Sequence, residues 1–395
     1  MIAVETALGH IFDLVAPLQT EDVPLRLAAG RVLAGPVAAR RDQPPFPTSV
    51  MDGYAVRAED VHAGAVLSVV AEAAAGHATE VVVGKDQAIR IFTGAPVPAG
   101  ATRVIIQEDV TRSGNEITLG EALDATSPYI RPKGTDFAAG DRIEAPRRLD
   151  PASLTLAAAM NLPVLPCRRR PEVAIIATGD ELVLPGETPR PDQIVASNGF
   201  GIAAMVEAAG AVARLLPIAR DTVASLSSAF ALAEGADLIV TIGGASVGDH
   251  DLVRATAGAK GLETAFYKVA MRPGKPLMAG RLGDIPMIGL PGNPVSALVC
   301  TQVFVVPALR VLLGYPAAPA PRQQAPLAAP VPANGPREHY MRARLGPGGL
   351  TAFERQDSGL IGVLADADAL LIRPPHSGAR AAGAPVEYLP LTRER

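Results

Sequence analysis

The segment from residue 171 to residue 315 alternates short apolar runs with stretches of helical periodicity, and this pattern restricts the fold more than any other feature. The runs VAIIAT (173–178) and LIVTI (238–242) are apolar at almost every position, which is typical of strands covered on both faces. Apolar residues recur at helical spacing over 201–209 and 222–233. Strands that alternate with helices predict a doubly wound α/β domain with a mostly parallel sheet.

The remaining residues are too many for the same core, because a chain of 395 residues corresponds to two or three domains of roughly 150 residues each. Short β-like runs separated by Gly and Pro turns predict a small, barrel-like β-domain over 42–141. Residues 1–41 have apolar positions at helical spacing, and a further helix is predicted over 151–160. After a linker rich in Pro and Ala, short strands predict a C-terminal β-domain over 316–395.

Composition excludes several classes of function. The chain has 36 basic and 40 acidic residues and no tryptophan, so it lacks the basic excess and the aromatic platform of a general nucleic-acid binder. Its two cysteines, Cys167 and Cys300, form no CxxC pair, and its six histidines are scattered. A zinc site and a disulfide framework are therefore not expected.

No membrane or export signal is recognisable. The N-terminus lacks a basic region followed by an apolar block, so we predict no signal peptide. The longest uncharged apolar stretch, Pro294 to Leu309, is shorter than the ~20 residues of a membrane span, and we predict that it is a buried helix. We expect a cytoplasmic protein with neither a membrane nor a nucleic-acid partner.

The strongest local signal is the glycine-rich segment TIGGASVGDHD (241–251). Gly243, Gly244 and Gly248 follow a predicted strand and precede a helix, where backbone N–H groups and the helix dipole favour an anion. Ligands of open α/β sheets bind at the carboxyl ends of such strands. The segment is neither a Walker loop nor a dinucleotide fingerprint, and a purely structural turn remains the alternative.

A set of acidic residues accompanies this turn. They follow the predicted strands at Asp180, Glu181, Asp221, Asp249 and Asp251. Such a group suits Mg²⁺, which binds a few carboxylates together with substrate phosphates. For each acid alone, a helix cap or a solvated surface position explains it equally well.

A second set of charged residues is basic. The segment KVAMRPGKP places Lys268, Arg272 and Lys275 around a Pro-Gly turn. Three cations on a constrained loop predict an oxyanion or phosphate clamp, and a solvated basic turn is the alternative.

The segment LPGNPVSA (290–297) contains two prolines, Pro291 and Pro294, on either side of Asn293. An asparagine followed by proline predicts a helix that begins there. The segment could be a helix start and nothing more, but it would also form a rigid wall for a ligand cleft.

Taken together, these segments resemble the molybdopterin molybdenumtransferases, the MoeA family that includes the gephyrin E domain. The resemblance extends over the whole chain, and seven motifs occur in the family's order: MDGYAVR (51–57), FTGAPVPAG (92–100), RPKGTDFAAGD (131–141), ATGDEL (177–182), GGASVGDHD (243–251), MRPGKP (271–276) and GLPGNPVSA (289–297). The chain departs from the family pattern where GGAS replaces the usual SGGVS and where Arg272 replaces a usual lysine.

The resemblance implies a subunit of four parts. Residues 1–41 and 142–170 would form a discontinuous helical domain, and the β-domain, the α/β domain and the C-terminal β-domain would complete it. The α/β domain would be similar to molybdopterin adenylyltransferase. Members of the family are homodimers whose cleft is shared between subunits, and a transient encounter with an adenylyltransferase that hands over the pterin is compatible with this.

The implied reaction inserts molybdate into adenylated molybdopterin, with Mg²⁺-dependent release of AMP. The resemblance assigns catalytic roles to Asp52, Thr93, Asp136, Glu181, Asp221, Asp251, Arg272 and Lys275. Because Asp221 and Asp251 lie at predicted strand ends beside the glycine-rich turn, we predict that these two hold Mg²⁺. The resemblance suggests Arg342 and Ser358 as anion ligands. From the motifs themselves we predict that further residues bind the substrate, namely Gly243, Gly244, Ser246, Gly248, Lys268, Pro291, Asn293 and Pro294.

Two alternatives stay open at this point. A molybdopterin adenylyltransferase would use the same α/β domain, but such enzymes usually consist of that domain alone. A non-catalytic scaffold of the gephyrin type would not need the acids and lysines named above. Molybdate-dependent release of AMP distinguishes the transferase from both.

Overall fold

The computed structural model describes residues 1–123, 127–244 and 252–391. The chain forms two compact units. The smaller unit is Asp22–Pro166, and the larger unit combines Met1–Glu21 with Cys167–Arg395. This division differs from the one expected from the sequence, which joins residues 1–41 with 142–170. The first helix, α1 (Val4–Leu14), packs instead in the core of the larger unit.

The smaller unit consists mainly of strands. The elements in chain order from residue 20 are β1 (Thr20–Pro24), β2 (Val32–Leu33), β3 (Val37–Ala38), β4 (Thr48–Ser49), β5 (Gly53–Val56), β6 (Val66–Ala73), β7 (Gln87–Ile91), β8 (Arg103–Ile106), β9 (Val110–Ser113), β10 (Glu116–Leu119), β11 (Ile130–Arg131), β12 (Arg142–Ile143), β13 (Arg147–Arg148), α2 (Pro151–Ala159) and β14 (Val164–Arg168).

The predicted β-domain contains a six-stranded sheet in the order β8-β5-β7-β6-β10-β9. Apolar clusters cover it on both sides: Tyr54 and Val56 belong to one cluster, and Ala55 between them belongs to another. Alternate residues of one strand point to opposite faces, so both faces of this sheet are buried. Over the described residues the strands follow one open path, whereas the sequence suggested a barrel-like closure.

The segments expected to form a helical domain are largely β-structure. A four-stranded sheet has the order β1-β14-β2-β13. After α1, helical structure in residues 1–41 is limited to a 3₁₀ turn at Leu25–Leu27. The reason is pairing with distant residues, since β2 pairs with β13 across more than a hundred positions of sequence. Helix α2 is present as predicted, with the Asp150 carboxylate accepting a hydrogen bond from the Ser153 N–H at 2.7 Å.

The larger unit contains the α/β domain and the C-terminal β-domain. The α/β elements are β15 (Glu172–Ala177), β16 (Leu182–Val183), β17 (Ile194–Val195), α3 (Asn198–Ala208), β18 (Val212–Leu215), α4 (Val223–Leu232), β19 (Leu238–Ile242), α5 (Leu252–Ala259), β20 (Leu262–Tyr267), β21 (Met271–Arg272), β22 (Met278–Leu282), β23 (Ile285–Leu290), α6 (Pro294–Cys300) and α7 (Val306–Leu312). The C-terminal elements are β24 (Gln323–Pro326), β25 (Glu338–Gly346), β26 (Gly349–Ala352), α8 (Ile361–Ala365), β27 (Ala369–Arg373) and β28 (Pro385–Pro390).

The α/β domain is doubly wound, as the sequence predicted. Its sheet has the order β18-β15-β19-β23-β22-β20, with parallel pairing from β18 to β23 and antiparallel pairing beyond. Ile202 of α3 and Val240 share the core on one face, and Phe230 of α4 and Ile239 share the core on the other. The mostly parallel prediction is confirmed, with an antiparallel edge.

The apolar segment after Asn293 is a core helix. The run Pro294–Leu312 is apolar enough and long enough to cross a membrane, but 78% of an 18-residue window within it is buried inside the protein. Its middle, Thr301–Val305, is a π-helical turn between α6 and α7. The sequence-based prediction of a buried helix is therefore confirmed.

The C-terminal β-domain receives a strand from the basic turn. Its sheet has the order β21-β25-β27-β28-β24, and β21 pairs in parallel with β25, so that Arg272 lies opposite His339. Because β21 precedes the Pro-Gly turn, this pairing fixes the predicted anion clamp against the C-terminal sheet.

Candidate functional site

Three parallel strands of the larger unit end side by side. Ala177 pairs with Ile242, and Ile242 pairs with Leu290. The strand β15 has β18 on one side and β19 on the other, which defines a topological switch point. A cavity of about 530 Å³ opens at this edge, and residues that follow each of the three strands line it.

The glycine-rich turn lines the cavity at the end of β19. Gly243 and Gly244 have φ values of 90° and 66°, which only glycine adopts without strain. A Cβ atom on Gly243 would lie 2.9 Å from the Thr178 carbonyl oxygen, and one on Gly244 would overlap Cγ2 of Val253. The turn therefore requires glycine for both conformation and space.

The remaining predicted residues of this turn cannot be placed. Ser246, Gly248, Asp249 and Asp251 lie in 245–251, outside the described residues.

Two of the predicted carboxylates, Glu181 and Asp221, line the cavity. Their loops are joined by Arg220, whose Nη1 donates to the carbonyl oxygens of Asp180 and Leu182 at 3.1 and 2.9 Å. The Asp221 N–H also donates to Oδ1 of Asp180 at 3.0 Å. Asp180 is thus a structural link between the two loops. Over the described ranges, no group of three or more Asp, Glu, His or Cys side chains is close enough to hold a metal.

Another wall of the cavity is the predicted Pro291–Pro294 segment. Asn293 lies at the N-cap position of α6 but makes no capping bond; its Nδ2 instead donates to Oγ of Ser358 at 3.0 Å. The Val295 N–H donates to the Ser358 carbonyl oxygen at 3.1 Å. Ser358 of the C-terminal domain is therefore held beside this wall.

Asn198 is a cavity residue that sequence reasoning missed. It begins α3, lines the cavity, and its Nδ2 donates to the Gly292 carbonyl oxygen at 2.7 Å. The signal available in the sequence was the Ser197-Asn198 pair before an apolar periodic segment, which is typical of a helix start.

The basic turn borders the cavity through Pro276, which lines it directly after Lys275. Arg272 and Lys275 are exposed. Lys268 has a positive φ of 72°, and its Nζ lies 4.9 Å from the centroid of the Tyr267 ring. Lys268 is not among the residues that line the cavity, so its predicted substrate role stays a prediction.

Arg342 of β25 is fully buried, with 0% of its surface exposed. Its Nη2 donates to the Asp357 carbonyl oxygen at 2.8 Å, whereas Nε and Nη1 have no partner among the described residues. Burial, followed by the charge of Arg272, lowers the pKa of Arg342. A buried guanidinium with free donors is costly, and an anion bound between Arg342 and Arg272 would reduce that cost.

His339 lies in the same positive environment. Burial, followed by the charges of Arg272 and Arg342, lowers the pKa of His339 to about 4. The imidazole is therefore neutral near pH 7 and adds no charge to the site.

The smaller unit brings a second group of predicted residues together. Oδ1 of Asp52 accepts hydrogen bonds from both the N–H and the hydroxyl of Thr93, each at 2.7 Å. The N–H bond, and then the hydroxyl bond, lower the pKa of Asp52. Arg131, the first residue of the RPKGTDFAAGD motif, pairs with Thr48 just before the Asp52 segment. Parts of three motifs therefore meet in this unit.

Asp136 lies in the loop formed by the third of these motifs. It is exposed, and its N–H donates to the Gln43 carbonyl oxygen at 2.9 Å. Neither hydrogen bond of the Asp52–Thr93 pair involves Asp136, and its catalytic role stays a prediction.

The glycine turn gives a direct stability test. Gly244→Ala should destabilise the larger unit, because a left-handed alanine costs about 1–2 kcal/mol and Val253 must also move. Gly258→Ala is the matched control, since a Cβ there meets no atom within 4 Å and alanine is favoured in a helix. Thermal unfolding of both variants measures the difference, and equal midpoints would contradict the assigned geometry.

Comparison with known proteins gives a consistent result over the whole chain. The family described as "MoeA N-terminal region (domain I and II)" matches residues 2–161. The "Probable molybdopterin binding domain" matches 174–311, and the "MoeA C-terminal region (domain IV)" matches 324–391.

Relatives of similar length support the same family. Molybdopterin molybdenumtransferase 2 of Mycobacterium tuberculosis is 38% identical over 386 residues, which covers 94% of this chain and 95% of the relative. The molybdopterin molybdenumtransferase of Haemophilus influenzae is 36% identical over 317 residues, 80% of this chain and 78% of its own. A crystal structure of the molybdopterin biosynthesis MoeA protein from Pyrococcus horikoshii has a TM-score of 0.83 at 30% identity, covering 99% of both chains. The chain belongs to the molybdopterin molybdenumtransferase (MoeA) family.

Proposed function

We propose that this protein inserts molybdate into adenylated molybdopterin and releases AMP in a Mg²⁺-dependent reaction. The observation that carries the proposal is the cavity at the switch point, which combines a glycine turn with two carboxylates. Membership of the family supports the same reaction. The cytoplasmic location expected from the sequence is part of this proposal.

The phosphoanhydride of the substrate would lie at the Gly243–Gly244 turn. Positive φ values at both glycines turn the backbone sharply at the end of β19, and the lack of side chains there allows an anion to approach the backbone of the turn closely. The cavity volume of about 530 Å³ falls in the range of small-molecule sites, roughly 300–1,000 Å³.

The carboxylates present fit Mg²⁺. Glu181 and Asp221 line the cavity, and Mg²⁺ is usually held by one or two carboxylates together with substrate phosphates and water. Asp251, outside the described residues, is the other predicted ligand. The chemistry that Mg²⁺ supplies when bound is neutralisation of the negative charge on the phosphoanhydride.

Molybdate, as a substrate, is a tetrahedral dianion and would bind to cations and hydroxyl donors. Arg342, Arg272 and Lys275 supply the charge, and Ser358 supplies a hydroxyl. The sulfur ligands of the molybdenum would belong to the pterin.

The two cysteines of the chain do not compete with the pterin for molybdenum. Both are buried, and burial raises the pKa of the Cys300 thiol. Because the thiolate is the form that binds metals, a buried and protonated thiol is a poor ligand.

The Asp52–Thr93 pair would complete the site from a second copy of the chain. This homodimer, with its shared cleft, is inferred from the family resemblance, as is a transient adenylyltransferase partner that delivers the pterin. The smaller unit would then act in trans on the cavity of the larger unit.

Asp221 tests the proposed reaction. Asp221→Asn preserves the shape of the side chain but removes its charge, so AMP release from adenylated molybdopterin should fall strongly, most of all at limiting Mg²⁺. Asp192→Asn, an exposed acid whose partner is Arg190, is the control and should behave as the wild type. Molybdate-independent AMP release, or equal rates in both variants, would count against the proposal.

The basic turn tests the molybdate site. A hydrogen bond to a charged group is worth about 1.5–3 kcal/mol. Lys275→Ala should therefore raise the molybdate concentration that gives half-maximal AMP release by roughly tenfold to over a hundredfold. Arg272→Lys should be mild because the charge remains, and Arg272→Ala should be severe. Lys260→Ala, at an exposed position directly after α5, is the control. If Lys275→Ala shows normal molybdate dependence, the turn is only a solvated surface feature and not the anion clamp.

Subunit mixing tests the shared cleft. Asp52→Asn and Lys275→Ala damage different units, so a mixed dimer should contain one site in which both native residues are present. Partial recovery of AMP release after subunit exchange is the expected result. A strictly monomeric protein in light scattering, or demonstrated exchange without recovery, would argue for a site within one chain.

A further inference from the structure

Arg90 lies at the junction of the two segments that form the Asp52–Thr93 pair. It belongs to β7, and its partner in the neighbouring strand β5 is Tyr54, two residues after Asp52. Thr93 follows β7 after one further residue, Phe92. A side chain at this position can therefore contact both the carboxylate segment and the donor segment.

The guanidinium makes two hydrogen bonds beside Asp52, one to the backbone and one to a side chain. Nη1 of Arg90 donates to the Gly53 carbonyl oxygen at 3.1 Å, and Nη2 donates to Oε1 of Gln107 at 2.6 Å. The N–H of Gln107 in turn donates to the Asp52 carbonyl oxygen at 3.0 Å. One planar group thus fixes the residue after Asp52 and the residue that binds the backbone of Asp52.

The same guanidinium contacts the donor segment through aromatic rings. Cζ of Arg90 lies 4.8 Å from the centroid of the Phe92 ring and 5.0 Å from that of Tyr54, within the range of cation–π interactions. Phe92 directly precedes Thr93, so movement of this ring would displace the donors of the carboxylate. Lysine has the charge but not the planar fork that allows both kinds of contact.

The electrostatic surroundings agree with this arrangement. The two Thr93 bonds lower the pKa of Asp52 most, and the charge of Arg90 lowers it further. Glu108 and Arg112 line the same open concavity as Arg90. Arg90 therefore both lines this concavity and contributes to the electrostatic surroundings of Asp52.

We propose that Arg90 is a positioning residue that holds the Asp52 carboxylate and the Thr93 donors in register. Its contribution to catalysis rests on the proposed function, because it acts through Asp52 and not on the substrate. The prediction that it orients this pair concerns the protein alone and does not depend on the reaction.

The direct test observes the Thr93 amide by NMR in full-length protein labelled with ¹⁵N-threonine, with Asp52→Asn identifying the titration of Asp52. Arg90→Gln should shift the Thr93 amide resonance, because the Asp52–Thr93 pair loses its orientation. It should also raise the pH midpoint at which this resonance reports the titration of Asp52, because a nearby positive charge is lost. Arg90→Lys should shift the resonance with a smaller change in midpoint. Arg112→Gln is the control and should leave both unchanged.

Kinetics then measures the consequence. Arg90→Gln should lower kcat for AMP release by about ten- to a hundredfold, as expected for a misplaced catalytic group, with KM nearly unchanged and no further loss when added to Asp52→Asn. If Arg90→Gln does not fold, Arg90→Lys provides the same comparison. An unchanged Thr93 amide in the folded variant overturns the proposal, whether or not AMP is released. Failure of the wild type to release AMP rejects the proposed function and leaves the NMR result to decide this one.

Discussion

The parallel register of β15, β19 and β23 is the constraint on which the site depends. Because Ala177, Ile242 and Leu290 are paired across the sheet, the loops after these strands start from one line and must diverge around a common space. The middle loop turns away on two glycines, without a side chain in the way. Arg220 and Asn198 then connect the outer loops to this edge. Strand pairing therefore brings candidate functional residues from three separate loops together in one cavity.

The second constraint is the pairing of β21 with β25, which joins the basic turn to the C-terminal sheet. In this arrangement the charge of Arg272 lowers the pKa of the buried Arg342, because a nearby like charge disfavours the charged form. Asn293 and Ser358 connect the same two domains by a direct hydrogen bond. In the proposed function, the unsatisfied donors of Arg342 are stabilised when the anionic substrate binds.

The sequence predicted those elements of the fold that depend on short stretches of consecutive residues. The α/β domain, the buried Pro294 helix and the helix that begins at Pro151 follow from periodicity and residue type within short windows. The strand character of residues around Val32 and Arg147 does not, because these strands exist only through pairing with distant partners. The position of α1 is of the same kind, since an amphipathic helix does not specify which core covers its apolar face.

The site shows the same division. The predicted residues that line the cavity are Gly243, Gly244, Glu181, Asp221, Pro291, Asn293 and Pro294. All of them except Asp221 belong to a motif of a few consecutive residues, and Asp221 follows a predicted strand, so sequence alone could find them. The bond from Asn293 to Ser358, the link formed by Arg220 and the contacts of Arg90 depend instead on tertiary contacts that no motif contains.

The most direct measurement of the central claim is a crystal structure of the protein with AMP and Mg²⁺ bound. The account predicts that the AMP phosphate lies at the Gly243–Gly244 turn, with the metal beside Asp221 and the nucleoside elsewhere in the same cavity. A phosphate bound in another place, such as the concavity that Arg112 lines, would contradict it, as would the absence of AMP from the cavity at saturating concentration.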